Sequence, residues 1–359
     1  MSHLSSFHAI RYRGIDDVRL ERLGAVNLIT GPNGAGKTSL AEAIWLFNGR
    51  FAPAVAWNSH VQRSQRSVVD PIARLASGGA IELAGTERGA LRRWKARFEP
   101  MPTAGGAGTG VSEDRGGSVN KSTGVDAPTL PIPPRGRLRV WLDGAEVGSE
   151  RNILVQLHGE GAFIPPTQSP ADHRPAVIHL PSSSMDMDKE TINRFSELVA
   201  QGRKRYVKET LRLLLPLLAD VEVITDHNGR PFILATTTEN ERLPLQALGG
   251  GMTRLFRLFV AFHDFTGGLV VVDEIENGLH YLVLPELWRR VQAMTGQFNV
   301  QMFATTHSRE CIDAALDVFS SQSSALAVHA LSLHDDGVHV VTYSGETLEA
   351  ARDINLDLR

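Results

Sequence analysis

Apolar residues along this chain fall into short blocks whose spacing changes from one region to the next. Phe7 to Arg22 mixes apolar and basic positions and predicts one or two strands. Val26 to Thr30 is a compact apolar run, as in a buried strand. Ser39 to Phe47 has helical spacing and is stopped by Asn48-Gly49. Trp94, Ala96 and Phe98 alternate with Arg93, Lys95 and Arg97, the period of a half-buried strand whose arginines face water. Another strand is expected at Leu138–Leu142, closed by an Asp143-Gly144 turn, with loops at Pro165-Pro166 and Ser169-Pro170. Ile192, Phe195, Leu198 and Val199 predict one face of a helix ending at Gln201. Val207, Leu211, Leu214 and Leu218 predict a second, with the basic cluster 203–208 on its solvated side. Val221–Ile224 and Pro231–Leu234 flank Asp226–Gly229 and read as a hairpin. Gly267–Val272 and Val300–Ala304 are apolar enough to be central strands. The last strands are expected at Ala325–Ser332 and Val338–Tyr343.

Residues 101–136 break this pattern. They hold many glycines, serines and prolines and few large apolar groups. A segment of that composition has too little to bury to offset its ordering entropy, and a flexible insert is expected.

Composition narrows the class. The chain has 359 residues and a net charge of −3, which does not indicate a strongly basic nucleic-acid binder. A single cysteine, Cys311, excludes an internal disulfide framework and suits a reducing cytoplasm. No apolar run approaches a membrane span, and the first residues lack the form of a secretory signal, so a cytoplasmic protein without membrane contact is expected.

The chemistry concentrates at the ends of the apolar runs. Gly31-Pro32-Asn33-Gly34-Ala35-Gly36-Lys37-Thr38-Ser39 follows one strand and opens a helix, the order a phosphate cradle requires. The glycines admit an anion to the backbone amides, and the helix N-terminus adds free N–H groups. Lys37 would reach the outer phosphates of ATP and the Thr38 hydroxyl would hold Mg²⁺. The strand at Gly267–Val272 ends in Asp273-Glu274. Asp273 suits the Mg²⁺ shell, and Glu274 could polarise the attacking water. His307 follows the strand at Val300–Ala304, where it suits a γ-phosphate contact. Gly249, Gly250 and Gly251, within Leu248–Met252, open a further helix and form a second anion-ready terminus. One nucleotide does not need two cradles, so each subunit is expected to offer the second to its partner's ATP. A bulky residue at Gly251 should then spare ATP binding and block closure.

The order of these segments resembles that of ABC-type ATPase heads. Asp273–His280 and Phe303–Glu310 resemble the OLD-like branch of AAA ATPases, related to SMC and RecF-type heads. The likeness runs from about Phe7 to Leu46 and from about Val177 to Arg359. It implies an α/β fold: a P-loop NTPase of the ABC-type ATPase head kind, with a mixed central sheet, an antiparallel β subdomain and a helical insert. The implied single head comprises an N-terminal lobe over 1–100, the insert at 101–136, a helical subdomain and hairpin over 185–245, and a C-terminal lobe over 246–359. The resemblance implies Gly31–Ser39 as Walker A, Asp273 as Walker B, Glu274 as catalytic base, Leu248–Met252 as signature and His307 as switch histidine. Transporter-type signatures carry Ser and Gln where this chain has Gly249 and Met252. No TOPRIM nuclease domain is expected after the last strands.

The implied function is Mg-ATP hydrolysis in a homodimer or higher oligomer whose closure switches an effector, a nuclease or toxin supplied in trans, in anti-phage defence. Three other functions share the motifs: a slow ATP-binding scaffold, a transporter ATPase, and a repair ATPase acting on DNA. Salt-dependent DNA affinity would mark the last.

Overall fold

The computed structural model describes residues 4–48, 80–100, 136–143, 145–146, 153–158, 161–163, 177–182, 187, 189–354 and 356–358. The segment expected to be flexible at 101–136 lies outside them, apart from Gly136, and so do both proline loops between 164 and 176.

A six-stranded sheet organises the molecule, in the spatial order β10 (Val177–Leu180), β14 (Leu269–Val272), β15 (Gln301–Thr305), β3 (Val26–Thr30), β16 (Leu326–His334) and β17 (Gly337–Ser344). Its first five strands run parallel and β17 is antiparallel to β16. Every residue of β3, β14 and β15 is buried, which explains why they read as continuous apolar runs and not as alternating ones.

The two faces of this sheet serve two cores. On one side Ile29, Val271 and Phe303 meet helix α1 (Lys37–Asn48) and an antiparallel sheet. That sheet runs β2 (Ile15–Leu20), β1 (Leu4–Tyr12), β4 (Ala80–Glu87), β5 (Ala90–Pro100), β6 (Gly136–Leu142), β8 (Ile153–His158) and β9 (Gly161–Phe163), and the short β7 (Ala145–Glu146) also pairs with β6. Trp94 and Ala96 are buried while Arg93, Lys95 and Arg97 are exposed, as the alternation predicts. On the other side Leu28, Val270, Val272 and Met302 meet helices α2 (Lys189–Ala200), α3 (Lys204–Leu214), α4 (Gly250–Asp264), α5 (Leu284–Phe298) and α6 (Arg309–Val318). A small antiparallel sheet of β11 (Leu218–Thr225), β12 (Pro231–Thr237) and β13 (Arg242–Pro244) packs there too, and α7 (Glu346–Asp353) follows β17.

Three helical expectations need correction. Val199 is exposed, because it lies past the face shared by Ile192, Phe195 and Leu198. Leu218 begins a strand; Pro216 cannot continue the helix, which ends at Leu214. The helix before it runs only to Ala200. The hairpin around Asp226–Gly229 is present, and the Asp226 carboxylate accepts from the amides of Asn228 and Arg230, both at 2.8 Å.

A buried amide joins the two sheets. Gln301 accepts from the Leu4 amide at 2.9 Å and donates to the Leu4 carbonyl at 2.8 Å and the Gly24 carbonyl at 3.0 Å. A second tie holds the phosphate-loop helix, where Glu42 on α1 accepts from Arg13 and from the Tyr12 hydroxyl of the β1–β2 turn. Both fix the antiparallel sheet to the elements that carry the chemistry.

Two buried histidines make the fold sensitive to acid. Burial, with Arg203 nearby, lowers His263 to about 4, and burial lowers His329 to about 3. His263 has no hydrogen-bond partner and lies against the rings of Tyr206 and Phe298. Both rings are neutral when folded and take up protons when the chain unfolds below about pH 6.5. Their contribution is complete above that pH and is lost as pH falls toward 4. The thermal midpoint should be flat above 6.5 and fall below it, and His263→Leu should make the fall shallower. Calorimetry across pH 4–7 checks this; an unchanged slope in the variant would reject the assignment.

Candidate nucleotide site

The site forms where β3, β14 and β15 end side by side. The strand that leads to His307, β15, separates the phosphate-loop strand from the acidic strand. Thr306 N–H donates to Ile29 O at 3.0 Å and Ile275 N–H to Thr305 O at 3.0 Å, so the three strand ends are tied in register.

Gly31 shows why the loop needs its glycines. Its φ is +141°, and a Cβ there would lie 2.5 Å from the Leu331 carbonyl oxygen. No other residue fits without moving β16. Lys37 folds back over the loop and donates from Nζ to Gly31 O at 2.8 Å and Pro32 O at 3.0 Å. Burial lowers its pKa, while Glu274, Asp273 and Glu276 pull it back up.

Thr38 is brought to Asp273 across 235 positions of sequence. Its hydroxyl lies 3.0 Å from Oδ1 and 3.1 Å from Oδ2. Asp273 is 2 % exposed, and Thr305 Oγ1 donates to its Oδ1 at 2.6 Å. Two hard oxygen donors this close fit Mg²⁺, which retains waters and takes phosphate oxygens for its other positions. Among the described residues no group of three His, Cys, Asp or Glu could hold a metal, so a fully protein-coordinated cage is not what is offered. Three carboxylates around one buried lysine also favour a divalent cation arriving with a polyphosphate.

Glu274 has a left-handed backbone, with φ +48°. For a residue with a Cβ that conformation costs about 1–2 kcal/mol. It is held on both sides: Glu274 N–H donates to Thr305 Oγ1 at 2.7 Å, and Arg254 Nη2 donates to Glu274 O at 2.6 Å. Its side chain remains part exposed and lies 4.0 Å from His307 Nδ1. His307 is closer to Glu276, whose Oε1 is 3.4 Å from Nδ1 and accepts from the His307 amide at 3.2 Å.

Gly249–Gly251 have a different neighbour. Gly251 packs on the turn after Glu276, where a Cβ would lie 2.2 Å from the Gly278 carbonyl oxygen. This revises the expectation for a bulky residue at Gly251, which would disturb its own chain before it met any partner. His280, two residues further on, accepts from the Leu282 amide at 3.4 Å and caps a short helical turn.

Three residues in this region escaped the sequence reading. Thr305 joins the backbone of Glu274 to the carboxylate of Asp273, Arg254 caps carbonyls behind the acidic strand, and Glu276 holds the His307 amide. The hydroxyl at the end of β15 was the one available signal, since a polar residue closing a buried strand needs a partner.

Comparisons with known proteins bear on the fold. A family model described as an AAA domain, putative AbiEii toxin, Type IV TA system, matches residues 135–313, just under half of the chain. An ATP/GTP phosphatase of Helicobacter pylori is 27% identical over 135 residues, covering 36% of each chain. An uncharacterized protein of Methanocaldococcus jannaschii is 43% identical over 44 residues, covering 12% of this chain and 20% of that one. The chain thus spans about a third or less of the length of these curated relatives. Among solved structures, an SMC head bound to the C-winged helix domain of ScpA superposes with a TM-score of 0.57 at 14% identity, covering 97% of this chain and 100% of that one. An SMC head with an extended coiled coil, bound to the C-terminal domain of ScpA from Pyrococcus furiosus, gives 0.55 at 13% identity and covers 98% of both. The fold is that of a P-loop, ABC-type ATPase head.

The Gly251 contact yields a direct expectation. Gly251→Ala must push the Gly278 turn aside, and the thermal midpoint should drop. A midpoint equal to wild type would show that the turn yields freely.

Proposed function

We propose that this chain binds Mg-ATP and hydrolyses it, and that two copies close over two nucleotides to switch an effector protein. The observation that carries the reading is the Thr38 hydroxyl on the Asp273 carboxylate at 3.0 and 3.1 Å, beside a phosphate loop that already folds Lys37 inward.

In this reading Gly31–Ser39 cradle the phosphates, Lys37 neutralises the outer ones, and Thr38 and Asp273 hold Mg²⁺. The metal, when bound, screens the phosphate charge that builds up as the terminal group leaves. Glu274 orients the attacking water and accepts its proton. His307 reports on the γ-phosphate from the end of β15. Gly249–Gly251 serve the partner's nucleotide through backbone amides and the terminus of α4. Glycine at 249 offers no hydroxyl, so closure is weaker than a serine would give, and this favours a slow switch as the second reading. The Asp273–His280 segment supports placement in the OLD-like branch, and the toxin–antitoxin wording of the matching family model supports a defence setting with a nuclease or toxin as effector.

Two variants test the site. Lys37→Ala should lose ATP binding, because phosphate charge is left uncompensated in the loop; near-normal affinity by calorimetric titration would contradict the assignment. Glu274→Gln should bind ATP and hydrolyse it roughly 10²–10⁴-fold more slowly in single-turnover assays. A wild-type rate would remove Glu274 from the mechanism.

A further inference from the structure

Arg254 spends its charge on backbone carbonyls and on no carboxylate. Its guanidinium is largely withdrawn from water, which lowers its pKa, and its Nε has no hydrogen-bond partner. Asp273, Glu276 and Glu274 favour its charge from a distance, and Arg257 opposes it. Its donors go instead to carbonyl oxygens. Nη2 reaches Asp273 O, and Glu274 O at 2.6 Å, while Nη1 reaches Pro181 O at 3.5 Å and Ser182 O at 3.4 Å. A half-buried cation without a hydrogen-bonded anion is weak support for a fold, and an apolar side chain of the same size can serve stability as well.

We propose that Arg254 is a positioning residue for Glu274: it couples the glycine segment Gly249–Gly251 to the backbone of the base in the same chain. Three placements carry this. Glu274 occupies a left-handed conformation that persists only if its surroundings over-determine it. Of the two clamps on it, Thr305 belongs to the sheet, and Arg254 belongs to the helix that Gly250 and Gly251 begin. Arg254 lies three residues after Gly251, one turn along α4, so the two share a face. That face contacts the segment after β14 twice: Gly251 against the Gly278 carbonyl, and Arg254 on Asp273 and Glu274. A displacement of the start of α4 when the glycines engage the partner's nucleotide reaches Glu274 through the guanidinium. The base of one subunit then responds to the nucleotide its own glycines touch in the other site.

The proposal rests on the reading of Glu274 as the base, and its test separates the two. Three quantities are compared in the full chain: thermal midpoint, ATP affinity and single-turnover hydrolysis. Arg254→Met keeps the stem and removes the fork. The expected result is a midpoint equal to or above wild type, unchanged ATP affinity, and hydrolysis slower on the order of 10–100-fold, the cost of a slightly misplaced group. In a Glu274→Gln background the same change should add little, since both lesions act on one residue. If Arg254→Met does not fold, Arg254→Lys gives the comparison, because an ammonium cannot fork across adjacent carbonyls. A wild-type rate in the folded variant would overturn the proposal. So would a midpoint and affinity that fall in step with the rate, or a full additional loss in the Glu274→Gln background. A wild-type chain that does not hydrolyse ATP would instead overturn the parent reading.

Discussion

One buried carboxylate holds the site together. Asp273 closes the central acidic strand, is almost fully withdrawn from water, and accepts hydroxyl hydrogens from Thr38 and Thr305. A carboxylate in that position is tolerable only when its oxygens are satisfied. Satisfying them requires α1 to start within reach of the end of β14, and β15 to lie between β14 and β3. The parallel order of three strands and the placement of the phosphate loop are therefore conditions on one side chain. The same hydroxyls would be ready to trade that carboxylate for a metal ion.

The strain at Glu274 is understood in the same terms. A left-handed glutamate in a site built from glycine turns is a local conflict, and it sits where a base would have to face outward past a buried neighbour. Asp273 points in and Glu274 remains part exposed, although they are consecutive. The reversal of direction between adjacent carboxylates turns one inward to the Thr38 and Thr305 hydroxyls and leaves the other open to water. Local rules of this kind fail most often where chemistry demands it.

How much of this could be read from sequence depends on the range of the interaction. The phosphate loop was legible because glycine spacing, strand and helix are contiguous, and Lys37 and Thr38 are fixed by their neighbours. The central strands β3, β14 and β15 were legible because burial on both faces makes them largely apolar, whereas the short edge strand β10, which carries His179, gave no such run. Leu218 was misplaced because helical periodicity was continued through Pro216, whose missing N–H ends the helix. Val199 is exposed although it adjoins buried Leu198, because successive helical residues are rotated away from one another. Glu276 and Gln301 carry no local pattern, and Thr305 signals only that a strand-ending hydroxyl needs some partner. Their partners lie 31 positions away for Thr305 with Glu274, 31 for Glu276 with His307, and 297 for Gln301 with Leu4.

The glycine at 249 changes how the rest of the molecule must work. A serine there would offer a hydroxyl to a phosphate directly; a glycine offers only its amide and the start of α4. If these glycines serve a partner's nucleotide, as proposed, recognition would depend on where the whole helix terminus sits, with no single flexible donor to compensate for a poor fit. A helix whose position matters should be tied to what it controls. Alpha-4 is tied in that manner, by a glycine too close to the Gly278 carbonyl to carry a side chain and by an arginine spread over the carbonyls behind the acidic strand. On the proposed reading, the glycine at one end of the helix and the half-buried arginine one turn further along it belong to the same design, in which backbone position, and not a side-chain handle, would carry the signal.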